Sequence, residues 1–357
     1  MTTRPIRLLI VEDSAASREL LQHIFGKDEG IEVAGVARDG EEAVALAAEL
    51  GPDVITMDIH LPKLNGFETT RRIMESNPAP IIIVSASADP GDVRKAFQVM
   101  DAGAVAVLET PRGLGDPRHD AMAAKLVRTV KLMSEVRVVK RTRRSLPPTN
   151  EPVAVATPVQ TNRQIDLIAI GASTGGPPAL HTILSGLKTT DRPPILIVQH
   201  IAGGFVQGLV DWLAQSTGLS VVLASDGVRP LPGHVYIAPD ELHMIVEKSG
   251  LIALSDHPPD NGLRPAVSRL FESVAEVFGP AAVGVLLTGM GVDGAAGLKQ
   301  MRDRGAVTFA QDRESSVVFG MPGEAVKIGA AEHVLSPVRI AATLDTLLNK
   351  NKQADRK

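Results

Sequence analysis

Three side chains able to attack a carbonyl or move a proton stand directly after apolar runs in the second half of this 357-residue chain. Asp166-Leu167-Ile168-Ala169-Ile170 leads into Gly171-Ala172-Ser173-Thr174-Gly175-Gly176, and Ile195-Leu196-Ile197-Val198-Gln199 leads into His200. Val283-Gly284-Val285-Leu286-Leu287 leads into Thr288-Gly289-Met290-Gly291-Val292-Asp293-Gly294. A hydroxyl, an imidazole and a carboxylate are the parts of a hydrolytic triad: nucleophile, general base and the anion that orients the base. Of nine histidines, His200 alone directly ends a long apolar run. His234 and His243 flank a β-rich stretch, at a separation unusual for a metal site with Asp240, and His257 and His333 fall in loops or at strand starts.

A second chemistry is written into the first half. Glu12-Asp13 follow the first apolar run, Asp58 ends the third and Ser85 ends the fourth. Clustered carboxylates repel one another and are stabilised by a hard, oxygen-preferring cation such as Mg²⁺. An Asp beside that cation can act as a nucleophile toward phosphorus. One such residue would pass as a helix cap; four at consecutive strand ends point to a site.

These residues need elements that bring them to one edge. Short, wholly apolar runs read as strands of a parallel sheet buried on both faces, and such sheets bind ligands outside the carboxyl ends of their strands. The first half alternates strands and helices: Arg7–Val11 with Ser14–Phe25, Ile31–Val36 with Glu41–Leu50, Val54–Met57 with Gly66–Glu75, Ile81–Val84 with Gly91–Met100, and Val105–Leu108 with a closing helix. Five βα units on about 125 residues predict a doubly wound open sheet. The second half alternates too, with strands near 166–170, 195–199, 219–223, 283–287 and 306–310. A hairpin is expected between Gly233–Ala238 and Met244–Val246. The expected fold class is therefore α/β: two doubly wound parallel-sheet domains, flavodoxin-like and then Rossmann-like with three layers and a β-hairpin. Residues 145–163, proline-rich and polar, read as a linker. The domain bounds are 1–140, a linker at 141–164, 165–350, and a polar tail at 351–357. The cluster Lys140-Arg141-Arg143-Arg144 reads as a solvated helix end.

Two local patterns compete for the second half. Gly171-x-Ser173-x-Gly175 fits a nucleophile elbow, with Pro177 and Pro178 suited to a helix's first turn. It would set Ser173 near backbone N–H groups able to hold an oxyanion. Gly289-Met290-Gly291-Val292-Asp293-Gly294 is also a literal G-x-G-x-x-G after a strand, with Asp312 about 20 residues on, as in a dinucleotide site. That alternative leaves Ser173 and His200 without a role, and the fingerprint usually opens its domain.

Composition narrows the classes. A net charge of −4 and 44% hydrophobic residues describe a globular chain with no general affinity for nucleic acid or anionic membrane. With no cysteine, disulfides, thiolate metal sites and a thiol nucleophile are excluded. No apolar run approaches the roughly 18–20 residues that span a bilayer, and Met1-Thr2-Thr3-Arg4-Pro5 lacks a signal-peptide core, so a cytoplasmic protein is expected. At 3% aromatic residues, a stacking platform for single strands is not expected.

Leu8-Leu9-Ile10-Val11-Glu12-Asp13-Ser14, Met57-Asp58 through Gly66, and Ile82-Ile83-Val84-Ser85-Ala86 resemble a response-regulator receiver domain over about residues 5–125. The resemblance implies that Asp58 accepts the phosphoryl group, that Glu12 and Asp13 help Asp58 bind Mg²⁺, and that Ser85 senses phosphorylation. Receivers carry a Lys where this chain has Thr110 and an aromatic where it has Val107. Ile170 through Gly176, Gln199-His200, Leu231 through Pro239, Leu287 through Gly294 and Val318-Phe319-Gly320-Met321-Pro322 resemble the catalytic domain of the chemotaxis protein-glutamate methylesterases, the CheB family, over about 165–345. That resemblance implies Ser173 as nucleophile, His200 as base and Asp293 as its orienting carboxylate, with Thr174 and Met290 beside the oxyanion. It further implies methyl-accepting chemotaxis receptors as substrates, amidase action on receptor glutamines, and no cofactor for the ester reaction. Control by a chemotaxis histidine kinase is implied too, the unphosphorylated receiver covering the active site. Where the family shows Met-Pro-Pro-Gly-Phe-Thr after Gln-His, this chain has Ile201-Ala202-Gly203-Gly204-Phe205-Val206.

Two other outputs are open to a receiver-led chain. Residues 164–350 hold 13 Lys/Arg against 18 Asp/Glu, which argues against a DNA-binding output. A non-catalytic scaffold, suggested only by Thr110, is opposed by the intact Ser173, His200 and Asp293.

Overall fold

The computed structural model describes residues 4–85, 90–136, 138, 164–189 and 192–354. The chain divides into two compact units, Met1–Pro148 and Thr149–Lys357. The expected linker, apart from Gln164, lies outside the described residues, as do the basic cluster at 140–144 and the last three residues of the tail.

The first unit runs β1 (Ile6–Val11), α1 (Ala15–Gly26), β2 (Ile31–Ala37), α2 (Gly40–Leu50), β3 (Val54–Met57), α3 (Gly66–Ser76), β4 (Ile81–Ser85), α4 (Pro90–Ala102), β5 (Ala106–Glu109) and α5 (His119–Met133). Its sheet has the order β2-β1-β3-β4-β5 with every pair parallel. That is the flavodoxin-like order, with its switch point beside β1. Leu8, Leu9, Ile10, Ile55 and Ile81–Ile83 are fully buried. At about 1.5–3 kcal/mol for each fully buried Leu or Ile, these strands supply much of the cohesion. The helices start where short polar side chains stop the preceding strand or loop. Asp39 accepts the amides of Glu41 and Glu42 at the head of α2, and Asn65 accepts that of Glu68 at the head of α3.

The second unit comprises β6 (Leu167–Ala172), α6 (Gly176–Gly186), β7 (Ile195–Gln199), α7 (Val206–Thr217), β8 (Ser220–Leu223), β9 (His234–Ile237), β10 (His243–Val246), β11 (Ile252–Ser255), α8 (Val267–Val277), β12 (Ala282–Leu286), α9 (Ala295–Asp303), β13 (Val307–Gln311), α10 (Met321–Lys327), β14 (His333–Leu335) and α11 (Pro337–Ala354). A seven-stranded parallel sheet has the order β14-β13-β12-β6-β7-β9-β8. The chain builds outward from β6 to one side, then returns to its other side at β12, so β6 and β12 border the switch point. The expected α/β class holds for both units. One pairing differs: the hairpin is β10 with β11, antiparallel, whereas the segment at 233–238 supplies β9, a parallel strand of the main sheet. β9 is buried at Val235, Tyr236 and Ile237, so it fits between two strands rather than in an exposed ribbon. In α8, Val267, Leu270, Phe271, Val274 and Ala275 are buried, the spacing of one helical face, and all five lie in the unit's core cluster.

Candidate functional site

At the carboxyl edge of the second sheet, Ser173 follows β6, His200 follows β7 and Asp293 lies in the turn after β12. Three neighbouring strands thus deliver the three expected residues to the crevice at the switch point. His200 Nε2 lies 3.0 Å from Asp293 Oδ2. The contact is close, although the ring is not turned to give a hydrogen bond of good angle. Asp293 is only 6% exposed, whereas Ser173 and His200 are partly accessible.

Backbone and side-chain amides hold the three turns together. The Ser173 amide donates to Thr288 O at 3.0 Å, and the His200 amide to Ala172 O at 2.9 Å. Gln199 Nε2 donates to the carbonyls of both Ser173 and His200, each at 2.8 Å. Thr288 Oγ1 donates to Thr174 O at 2.9 Å and accepts the Val318 amide at 2.9 Å, while Gln311 Oε1 accepts the Thr288 amide at 2.8 Å. Gln199 and Thr288 fall inside the motifs quoted above without a role of their own, and Gln311 in none. A signal exists for the two glutamines, each a buried amide closing a buried strand.

The Ser173 turn departs from a strained elbow. Non-glycine residues with positive φ are, among the described residues, Lys63, Glu241 and Asn261, so Ser173 is not left-handed; Gly175 is, at φ 78°. A side chain on Gly175 would also strike Val317. Since the Ser173 amide is bound to Thr288, oxyanion donors must come from elsewhere. The amides of Thr174 and Met290 have no hydrogen-bond partner among the described residues. Pro177 and Pro178 do occupy the first turn of α6.

Two of the three glycines of the G-x-G-x-x-G run, Gly289 and Gly294, serve close packing, while Gly291, at φ 82°, faces open space. A Cβ on Gly289 would collide with the Met321 sulfur and the Ser173 Cβ. One on Gly294, at φ 82°, would fall 2.6 Å from Val267 Cγ1. The amides of Gly289 and Gly294 are engaged by Val318 O and Ser268 Oγ, and Asp312 accepts from Ser315.

Asp293 is surrounded by donors. Oδ2 accepts the Val267 amide at 2.7 Å; Oδ1 accepts the Ser268 amide at 3.0 Å and the Ser268 hydroxyl at 2.7 Å. Burial pushes its carboxyl up, but His200 and the Ser268 donors outweigh this and hold the pKa down at about 2. The Ser268 and Val267 donors are the firmer part of that balance, since they do not depend on the His200 ring angle.

His243 and His234 do not join the site. His243 is buried, with Nδ1 accepting the Ala266 amide and Nε2 facing Pro258 O, both at 3.2 Å, which makes it a structural link from β10 to α8. Asp240 accepts the Gly204 amide at 2.7 Å and pins the Ile201–Val206 loop.

In the first unit, ligand oxygens of Glu12, Asp13 and Asp58 lie within 4.8 Å of one another, the one such metal-competent group among the described residues. The donor set, three carboxylates and no imidazole or thiolate, fits a hard cation. Glu12 is pushed up to about 7 by burial and then by the charges of Asp58 and Asp13. Asp58 is likewise raised, by burial first, although the Ile59 amide donates to its Oδ1 at 2.7 Å. Ser85 and Thr110 are buried beside each other, the Thr110 amide donating to Ser85 O at 2.9 Å.

Residues 168–344 match the CheB methylesterase family and residues 8–114 the response regulator receiver domain. Over 343 residues the chain is 51% identical to protein-glutamate methylesterase/protein-glutamine glutaminase 4 of Geobacter metallireducens, covering 96% of this chain and 99% of that one. The chain belongs to the CheB methylesterase family. A second member, from Nitrosospira multiformis, is 52% identical over 345 residues, covering 96% and 97% of the two chains. The crystal structure of the Thermotoga maritima CheB methylesterase catalytic domain, 36% identical, superposes with a TM-score of 0.50 and covers 52% of this chain and 99% of that one. Among the described residues, no helix is long and apolar enough to cross a membrane.

Proposed function

We propose that this family member hydrolyses γ-glutamyl methyl esters, and deamidates glutamines, on methyl-accepting chemotaxis receptors. The observation that carries this is the delivery of Ser173, His200 and Asp293 to one sheet edge, with Asp293 3.0 Å from His200 and held ionised by α8. His200 takes the Ser173 proton as Oγ bonds to the ester carbonyl carbon. The amides of Thr174 and Met290 receive the oxyanion. The C–O bond to methoxide then breaks, His200 returns the proton, and methanol leaves; for a glutamine, ammonia leaves instead. Water repeats the sequence on the acyl-serine and frees the glutamate. Asp293 keeps the imidazole oriented and stabilises its charged form.

The receiver unit controls this reaction. Asp58 accepts a phosphoryl group from a chemotaxis histidine kinase and Ser85 reads it; Glu12, Asp13 and Asp58 would hold Mg²⁺, which would supply positive charge at the acceptor oxygens. The catalytic unit spans 165–350, joined to receiver 1–140 through the 141–164 segment.

The deciding measurement is methanol release from methylated receptor fragments, with and without a small phosphodonor and Mg²⁺. Release is expected to need Ser173, falling by about 10³–10⁴ in Ser173→Ala, and to rise with phosphodonor. Undiminished release in Ser173→Ala removes the proposed chemistry; release indifferent to phosphodonor removes the proposed control.

A further inference from the structure

Asp293 Oδ1 faces two donors from a single residue, Ser268, the second residue of α8, while Oδ2 faces the Val267 amide and His200. The carboxylate therefore cannot rotate about Cβ–Cγ without breaking bonds at both oxygens. The Ser268 hydroxyl also accepts the Gly294 amide at 2.9 Å, tying down the residue after Asp293. One hydroxyl thus bridges the carboxylate and the turn that carries it. We propose that Ser268 is a positioning residue for the hydrolytic reaction, fixing Asp293 so that Oδ2 presents to His200; this rests on the triad assignment above.

The backbone donors of α8 would satisfy the charge of Asp293 with any residue at position 268, except proline. What the side chain adds is direction. Without it, Oδ1 retains the Ser268 amide alone and the Gly294 amide loses its acceptor, so the carboxylate can swing and the turn can shift.

The experiment compares wild type, Ser268→Ala, Ser268→Thr, Asp293→Asn and the Ser268→Ala/Asp293→Asn pair in the full chain, with Ser173→Ala as control for the chemistry. Ser268→Ala is expected to lose about tenfold in kcat with KM within about twofold, the loss of one hydrogen bond to a charged group. Ser268→Thr keeps the hydroxyl and should recover most of the lost kcat. In the Asp293→Asn background, Ser268→Ala should add little, because its target is gone. An unchanged kcat in Ser268→Ala overturns the proposal, as does an undiminished loss in the Asp293→Asn background. Activity that survives Ser173→Ala instead overturns the triad assignment beneath it, so the two failures are distinct.

Discussion

Glu12 and Asp58 at the edge of the first sheet, and Asp293 at the edge of the second, occupy comparable places: each follows an apolar strand at the carboxyl side of a parallel sheet. Their carboxyl groups are driven in opposite directions. Burial acts on all three, yet Glu12 rises to about 7 while Asp293 falls to about 2. The difference lies in what faces them. Asp293 meets two backbone amides, a hydroxyl and an imidazole, whereas Glu12 meets two further carboxylates and a single amide from Ser14 at 3.2 Å. The second site supplies its own counter-charge and is complete as folded. The first is under-compensated, the condition in which an external cation binds best.

The sharpest way to break this comparison is to remove the charge from the complete site. Asp293→Asn leaves the shape of the carboxylate but turns one oxygen into a donor, against the Val267 or Ser268 donors or against His200. Turnover should fall by about 10⁴, as the base loses its orienting anion. The matched change, Asp58→Asn, should leave basal methanol release intact and abolish its response to phosphodonor. If Asp293→Asn retained near-normal turnover, Asp293 would be a structural anion of α8 and not part of the reaction.

Much of this is legible in the residues themselves. Largely apolar runs leading into Ser173, His200, Asp293, Asp58 and Ser85 locate both sheet edges, because a strand buried on both faces carries few polar residues until it exits the sheet. The hairpin is not legible: Val235–Ile237 and Met244–Val246 are both short and apolar, and only the long-range partners of β9, on β7 and β8, separate a central strand from a hairpin arm. The clamp on Asp293 is equally hidden. Ser268 lies 25 residues away in sequence, and one serine at a helix start carries no mark of what the third dimension sets against it. The G-x-S-x-G pattern marks a tight turn, and within it Gly175 takes the left-handed backbone.

A smaller effect sharpens the comparison from the other side. Burial and the charges of Asp58 and Asp13 outweigh the Ser14 amide and Arg18 and leave Glu12 protonated at about pH 6, so Mg²⁺ must displace that proton to bind. Calorimetric titration of the full chain with Mg²⁺ in buffers of different ionisation enthalpy should then show close to one proton released at about pH 6 and almost none at about pH 8.5. Glu12 binds a proton more tightly folded than unfolded, so without metal its contribution to receiver stability is larger at about pH 5 than at about pH 8 and is lost as the pH rises through about 7. Asp293 runs the other way, contributing stability above about pH 4 that is lost as the pH falls through about 2. Proton release unchanged in Glu12→Gln would show that Glu12 is not the group Mg²⁺ titrates.

The smallest expected effect concerns Thr110, the position at which a receiver places a lysine. Thr110 is buried next to Ser85, and a hydroxyl there brings no charge to a phosphoryl group on Asp58. The Lys63 ammonium is paired with Asp39 at 2.6 Å, and burial, the largest influence on Asp58, raises it against the Ile59 amide and the neighbouring His60. On the proposed function, phosphorylation of Asp58 would add negative charge to this site, and Thr110 would add no countercharge to the link from phosphoryl group to Ser85. Thr110→Lys should strengthen it: an ammonium bonded to the phosphoryl oxygens would raise the ratio of phosphodonor-stimulated to basal methanol release, by about fivefold. The same lysine should weaken Mg²⁺ binding to the unphosphorylated chain, since it competes for the carboxylates that now await the cation alone. A Thr110→Lys chain with wild-type Mg²⁺ affinity and wild-type stimulation would mean that the electrostatic gap at the first site is filled by another group, and the contrast with the self-sufficient Asp293 would narrow to one of hydrogen bonds.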